Sequence, residues 1–267
     1  MSLDVRGPFV VALVIAACAA GADETDVTAG ATLAPLAEHS LLLDGVAVDG
    51  RLVVVGERGH ILVSEDEGNS WRQVPVPTRA TLTAVHFHGR DYGWAVGHDS
   101  TILRTEDGGE SWTVVYSAPE DDTPFLDVWF RNADRGVAVG AYGYYYETSD
   151  GGLTWAPTVF DASPLVAEEM EADEATTAED DPLSFLPSDE DEAIFISDLH
   201  LNHIRSADDG TLYIAAEAGN VFRSDDGGGT WIIISPPYEG SFFGVSLLDD
   251  GGLLAYGMSG MLFRSDD

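Results

Sequence analysis

Residues 105–112 read TEDGGESW, and this short stretch places carboxylates, glycines, hydroxyls and an indole side by side. Three kinds of chemistry suit such a set: a cation loop built from oxygen ligands, a pair of catalytic acids, or a tight turn held by a carboxylate. A Ca²⁺ loop of the EF-hand kind needs a ladder of alternate ligands and a terminal Glu. The spacing here provides neither. Recurrence separates the remaining two, because catalytic groups occur once and turn grammar repeats.

The stretch returns as SEDEGNSW at 64–71, TSDGGLTW at 148–155 and SDDGGGTW at 224–231, and SDD opens another copy at 265. Counted between the leading hydroxyls, the intervals are 41, 43, 76 and 41 residues. A period of that length marks a repeat architecture. The long interval contains residues 168–192, with twelve acids and no base; taking out about 33 residues there restores the period. That acidic insertion, set at residues 161–193, reads as a solvated loop.

Each copy follows the same phrase. A glycine stands eight residues before the hydroxyl at Gly56, Gly97, Gly140 and Gly257, with Ala216 the exception. Another stands five before it at Gly59, Gly143, Gly219 and Gly260, with Ser100 the exception. Short apolar runs such as RLVVVG, YGWAVG and RGVAVG sit around them, and helical periodicity is nearly absent after the first residues. Three or four short strands per unit of about 42 residues match one blade of an all-β propeller of four-stranded blades. About five blades are legible, and seven are expected in the complete protein, since a ring that closes removes its sheet edges.

The pattern Ser/Thr-x-Asp-x-Gly-x-Ser/Thr-Trp resembles the Asp-box, a β-propeller hairpin motif. Its residue types are those a turn requires. Asp66, Asp107, Asp150 and Asp226 accept backbone N–H groups inside the turn. Gly68, Gly109, Gly152 and Gly228 admit positive φ. Ser64, Thr105, Thr148 and Ser224 tie the arms together. Trp71, Trp112, Trp155 and Trp231 bury their rings between blades with the indole N–H satisfied. These sixteen residues are expected to be structural and to sit on the propeller rim.

The phrases VGERGHILVSEDEGNSW and VGHDSTILRTEDGGESW are similar to the repeats of the Ycf48/HCF136 family of photosystem II assembly and stability factors, over about residues 41–267. The resemblance implies a seven-bladed propeller, no catalysis, export, lipidation in some members, and a membrane-protein complex as partner. The chain departs from the family in its acidity, its lack of Lys and its insertion, so a bacterial relative serving another envelope complex fits equally.

Composition narrows the partners. The 267 residues carry a formal net charge of −35, and all 12 basic residues are Arg. Such a surface repels phosphate backbones, which excludes nucleic acid. Residues 1–17 read as a lipoprotein-type signal with a short apolar run at 8–17. Cys18, the sole cysteine, is the expected lipid attachment site. Residues 18–36 read as a flexible tether and 37–267 as the propeller. The expected location is the periplasmic side of the cell envelope, anchored to a membrane.

No catalytic residue, cofactor or metal site is assigned. A sialidase-like glycosidase is the competing reading. It requires an arginine cluster, and Arg104, Arg223 and Arg264 instead occupy one equivalent place in three repeats. His86 with His88, and His200 with His203, offer a Zn²⁺ ion too few ligands. The remaining function is binding. Asp127 and Trp129 fall on a first strand expected to line the channel. Arg131 and Arg135 in RNADRG, and Tyr142 in GAYGYYYE, are favoured interface types and are expected to share one binding face with them.

Overall fold

The computed structural model describes residues 30–164, 199–234 and 236–266. Residues 1–29, with Cys18 and the expected signal, lie outside the described residues, as does 165–198, most of the acidic insertion.

Five sheets follow one another along the chain, antiparallel except for one added edge strand. Blade 1 is β1 (Leu42–Val48), β2 (Arg51–Gly56), β3 (Ile61–Ser64) and β4 (Arg72–Val74). Blade 2 is β5 (Leu82–His88), β6 (Tyr92–Gly97), β7 (Thr101–Thr105) and β8 (Thr113–Tyr116). Blade 3 is β9 (Phe125–Phe130), β10 (Gly136–Gly140), β11 (Tyr145–Thr148) and β12 (Ala156–Pro157). After β13 (Ala162–Pro164), blade 4 is β14 (Leu201–Ser206), β15 (Leu212–Ala216), β16 (Val221–Ser224) and β17 (Trp231–Ile234). Blade 5 is β18 (Phe242–Leu247), β19 (Leu253–Gly257) and β20 (Leu262–Ser265). Within each blade the strands are ordered as in the chain, the up-and-down meander of a propeller blade.

The insertion begins later than expected at 161. β13 pairs in parallel with the outer strand β17, Ala162 opposite Trp231, and so adds a fifth strand to blade 4. The tether is also shorter than expected. Ala31 N–H bonds Val76 O at 2.9 Å, and Gln73 bonds both Ala34 N–H and Thr32 O, so 30–36 lies along blade 1.

The first strands of successive blades contact one another, β1 with β5, β5 with β9, β9 with β14 and β14 with β18. Apolar side chains from facing blades fill the spaces between them. Val53, Val55 and Val63 of blade 1 meet Leu82, Val85 and Trp112 of blade 2. Trp94 and Ile102 of blade 2 meet Phe125, Phe130 and Trp155 of blade 3. A fully buried aliphatic or aromatic side chain contributes about 1.5–3 kcal/mol, so these interfaces supply most of the stabilisation.

Both repeated glycines now have physical reasons. A Cβ on Gly56, Gly97, Gly140 or Gly257 would lie 2.1–2.4 Å from a carbonyl oxygen of the chain entering the first strand. The inner glycine belongs to a two-residue turn with both φ positive, as at Tyr142 (53°) and Gly143 (68°), the mirror-image turn that suits strand twist. In blade 2 Ser100 takes that place at φ 46°, held by its hydroxyl donating to Thr123 O at 2.7 Å.

Candidate functional site

The Asp-box hairpins fold alike in all four copies. In the third, Thr148 Oγ1 donates to Asp150 Oδ1 at 2.8 Å and accepts Gly152 N–H at 3.0 Å. Asp150 also accepts Thr154 N–H at 3.0 Å and the Thr154 hydroxyl at 2.6 Å. Ser64–Asp66–Gly68, Thr105–Asp107–Gly109 and Ser224–Asp226–Gly228 repeat the first two bonds. These bonds hold the Asp150 and Asp226 carboxyls down at about 2 and lower Asp66 and Asp107 in the same sense. For Asp107 burial pulls the opposite way and is outweighed by the bonds taken together.

The tryptophans plug the spaces between blades. Trp112 and Trp155 donate their indole N–H to Gly109 O and Gly152 O. Two copies depart from the expected behaviour. Trp231 Nε1 is buried with no hydrogen-bond partner among the described residues, and Trp71 is only half-buried because no described blade precedes it. An arginine of blade 2 ties the blade 3 hairpin to it: Arg104 Nε donates to Gly151 O at 2.7 Å.

Near the axis lies a feature that repeat-reading missed. Each first strand carries a bulge two or three residues from its start. Side chains at the bulges reach the free backbone edge of the next blade. Asp44 accepts Val85 N–H at 2.9 Å. Thr83 donates to Phe125 O at 2.7 Å. Asp127 accepts Ile204 N–H at 2.9 Å. Asn202 donates to Phe242 O at 2.7 Å, and His203 Nδ1 accepts Val245 N–H at 3.2 Å. Arg205 Nη1 adds a bond of 3.0 Å to Asp127. The only sequence signal for Arg205 is that it is the sole arginine within any of the five first strands.

The partner-binding set therefore divides. Asp127 is 3% exposed and binds the next blade, so it does not line an open surface. Burial raises its pKa even against the attraction of Arg205. Arg131 and Arg135 stand at the turn between β9 and β10, while Tyr142 follows the far end of β10. They occupy opposite ends of blade 3 and do not share a face, because consecutive hairpin turns of an antiparallel meander alternate ends. Tyr142 is 61% exposed and packs edge-on against His200, whose N–H bonds Glu217. Trp129, Arg131 and Arg135 do come together. With Glu147, Ser149 and Thr158 they line a groove of about 340 Å³ that also touches Gly227 of the next Asp-box. Among the described residues no group of three or more His, Cys, Asp or Glu is placed to hold a metal.

This architecture and its rim hairpins define an Asp-box β-propeller. Its repeats are Ycf48-like: residues 63–124 match the family model described as photosynthesis system II assembly factor YCF48. Among curated proteins, the photosystem II stability/assembly factor HCF136 of Cyanidioschyzon merolae is 38% identical over 80 residues, 28% of this chain and 17% of that protein. A photosystem II assembly lipoprotein Ycf48 of Trichormus variabilis is 38% identical over 55 residues, 20% of this chain and 16% of that protein. Among solved structures, Ycf48 bound to D1 peptide superposes with a TM-score of 0.57 at 18% identity, covering 84% of this chain and 64% of that one. The GH74 xyloglucanase of Xanthomonas campestris gives 0.54 at 18% identity, covering 82% and 36%. The chain thus spans under a fifth of these curated relatives and under two thirds of these solved neighbours.

Proposed function

We propose that the chain is a non-catalytic envelope scaffold that assists the assembly or stability of a membrane protein complex, in the manner the names of its Ycf48-type relatives describe. The match of residues 63–124 to the Ycf48 family carries this reading. A rigid stack of blades joined by buried ties suits it, since such a stack presents broad end faces without needing a catalytic cluster. Trp129, Arg131 and Arg135 offer anchors on one face and Tyr142 on the other. Lipidation at Cys18 would hold the domain beside integral membrane proteins, as the lipoprotein name of one relative supports. In this reading the chain sits on the periplasmic side, and the acidic insertion steers a basic partner.

The test is deletion of the gene followed by measurement of membrane-complex abundance, with capture of partners from mild detergent. Loss of one complex, restored by the protein but not by a variant that fails to capture it, is the expected result. The rival is a sialidase-like glycoside hydrolase. Turnover of aryl glycosides, abolished by one carboxylate or Tyr substitution, would replace the proposal.

A further inference from the structure

The repeat grammar of charge breaks at one blade. In blades 2, 4 and 5 the residue before the Asp-box hydroxyl is Arg and the residue after it is an acid: Arg104 with Glu106, Arg223 with Asp225, Arg264 with Asp266. Each pair closes on itself as an ion pair. In blade 3 the same places hold Glu147 and Ser149. The basic member has become an acid, and the acid has become a neutral hydroxyl. Blade 1 has Val63 before its hydroxyl and keeps the acid Glu65 after it, so Ser149 is the one non-acidic residue at its place.

The break falls in the groove between blades 3 and 4. Arg131 and Arg135 enter it from the β9–β10 turn, and both are exposed. Neither is ion-paired among the described residues, whereas seven other arginines are. Asn132 Oδ1 accepts the N–H groups of Asp134 and Arg135 at 2.9 and 2.8 Å, which fixes the turn between the two. Arg131 lies against Gly227 so closely that a Cβ there would strike its guanidinium. In blade 1 the arginine held in this way against the next hairpin, Arg51, faces Glu110 at 3.7 Å. Arg131 has no such acid among the described residues. Among the described residues, a chain of net charge −35 thus keeps two cations without an ion-pair partner in one groove.

The rest of the lining narrows the ligand. Trp129 is half-buried beside the arginines. Glu147 accepts the Thr158 hydroxyl at 2.9 Å, and Ser149 adds another hydroxyl. Two guanidinium donors match one carboxylate. An indole beside a carboxylate and two hydroxyls matches a ring with an apolar face and hydroxyls around its edge. Glu147 opposes a polyanion. A volume of about 340 Å³ equals that of about eleven water molecules at about 30 Å³ each, enough for one substituted pyranose. We infer that this groove is a binding site for a sugar acid, a monoanionic pyranose such as a hexuronate, held by Arg131 and Arg135 at its carboxylate and by Trp129 at its ring face. The site does not depend on the assembly-factor reading.

The test is titration of the purified chain with sodium glucuronate, followed by calorimetry and saturation-transfer NMR, with glucose, acetate and an acid-tailed peptide as comparison probes. Saturable binding of glucuronate is expected, with glucose and acetate each weaker by about tenfold or more, a difference of about 1.4 kcal/mol. Trp129→Ala and Arg135→Ala should each weaken glucuronate by a similar factor. Ser149→Glu is the decisive variant, because it restores an acid found at that exposed place in every other blade and so leaves folding intact. It should abolish binding while the melting curve stays unchanged. Absence of saturable binding would overturn the inference. So would equal binding of glucose, which ignores the arginines, or of acetate or the peptide, which ignores the ring. Full binding by Ser149→Glu would place the ligand elsewhere.

Discussion

Asp127 of blade 3 and Arg205 of blade 4 meet at 3.0 Å near the axis, and the same Asp127 oxygen takes Ile204 N–H at 2.9 Å. Its other oxygen accepts Val128 N–H at 2.8 Å. One carboxylate therefore satisfies three donors, two of them on the neighbouring blade. A buried polar group costs little when matched and several kcal/mol when left alone. Asp127→Ala leaves the donors unmatched, and a loss of roughly 2–4 kcal/mol is expected, somewhat below a fully buried pair because Arg205 reaches solvent. Asp127→Asn keeps an acceptor and should lose less. Urea denaturation midpoints decide this, and equal stability of all three proteins would refute the tie.

The indole plugs should differ by position. Trp112 sits in the apolar interface between blades 1 and 2, with Phe87 edge-on at 6.0 Å. Trp112→Ala is expected to cost about 3–5 kcal/mol, the range for removing a large buried aromatic. Trp71 carries the same motif but is only half-buried. Trp71→Ala should cost less by at least about 1 kcal/mol, in proportion to the smaller apolar area it covers. Melting temperatures of the two variants test the ordering.

The glycine eight residues before the hydroxyl gives a prediction of opposite kind. A Cβ at Gly97 would lie 2.1 Å from Thr81 O and 2.8 Å from Leu82 Cα. Backbone cannot rotate away as a side chain can, so Gly97→Ala should cost about 1–3 kcal/mol despite the better strand propensity of Ala. Blade 4 has already made this exchange at Ala216. There the adjoining bond, Glu217 N–H to His200 O, stretches to 3.2 Å, against 2.9 Å for His98 N–H to Thr81 O. Ala216→Gly should therefore be tolerated with little change, and a large loss would show that the chain entry is not what selects glycine.

The blades were legible because the period repeats and because Asp, Gly, hydroxyl and Trp each have one job in a tight hairpin. Asp66, Asp107, Asp150 and Asp226 all carry out that job. The axial ties were not legible, because they use a different side chain in each blade: Asp44, Thr83, Asp127 and Asn202 with His203. Only a bulge places those residues in one layer, and a bulge leaves no fixed sequence mark. Asp127 looked like a surface residue for that reason. Tyr142 and Arg131 looked like neighbours because both follow strands of one blade, and the meander sends them to opposite ends. The groove residues Trp129, Arg131 and Arg135 were found as single residues. Glu147 and Ser149, which give the groove its charge, show only where the repeat is read for its exceptions.

Acid should loosen the stack in two steps, and the sign follows from the direction of each shift. Burial lowers His86 and His203 from 6.5 to about 4. The unfolded chain takes up those protons at higher pH than the folded one, so their stabilisation is present above 6.5 and is lost as pH falls toward 4. The loss is on the order of 3 kcal/mol at most for each. Protonation also removes the lone pair with which His203 Nδ1 accepts Val245 N–H, so blade 5 should loosen first. The Asp-box carboxyls follow. Asp150 and Asp226, held at about 2, give stability that is lost as pH falls from 3.8 toward 2. Asp44 and Asp127 act in the opposite sense, since burial raises both and their folded forms gain a proton first. Urea midpoints should therefore fall between pH 6.5 and 4 in the natural sequence. That fall should be much smaller in a double variant carrying His86→Phe and His203→Asn, whose amide oxygen still accepts the Val245 N–H; what remains comes from His60, also lowered by burial, and from the opposite contributions of Asp44 and Asp127. Hydrogen exchange at Val245 gives the local reading, with protection expected to fall over the same interval in the natural sequence alone. A midpoint in the natural sequence that does not move across that interval would show that neither histidine is held neutral by burial.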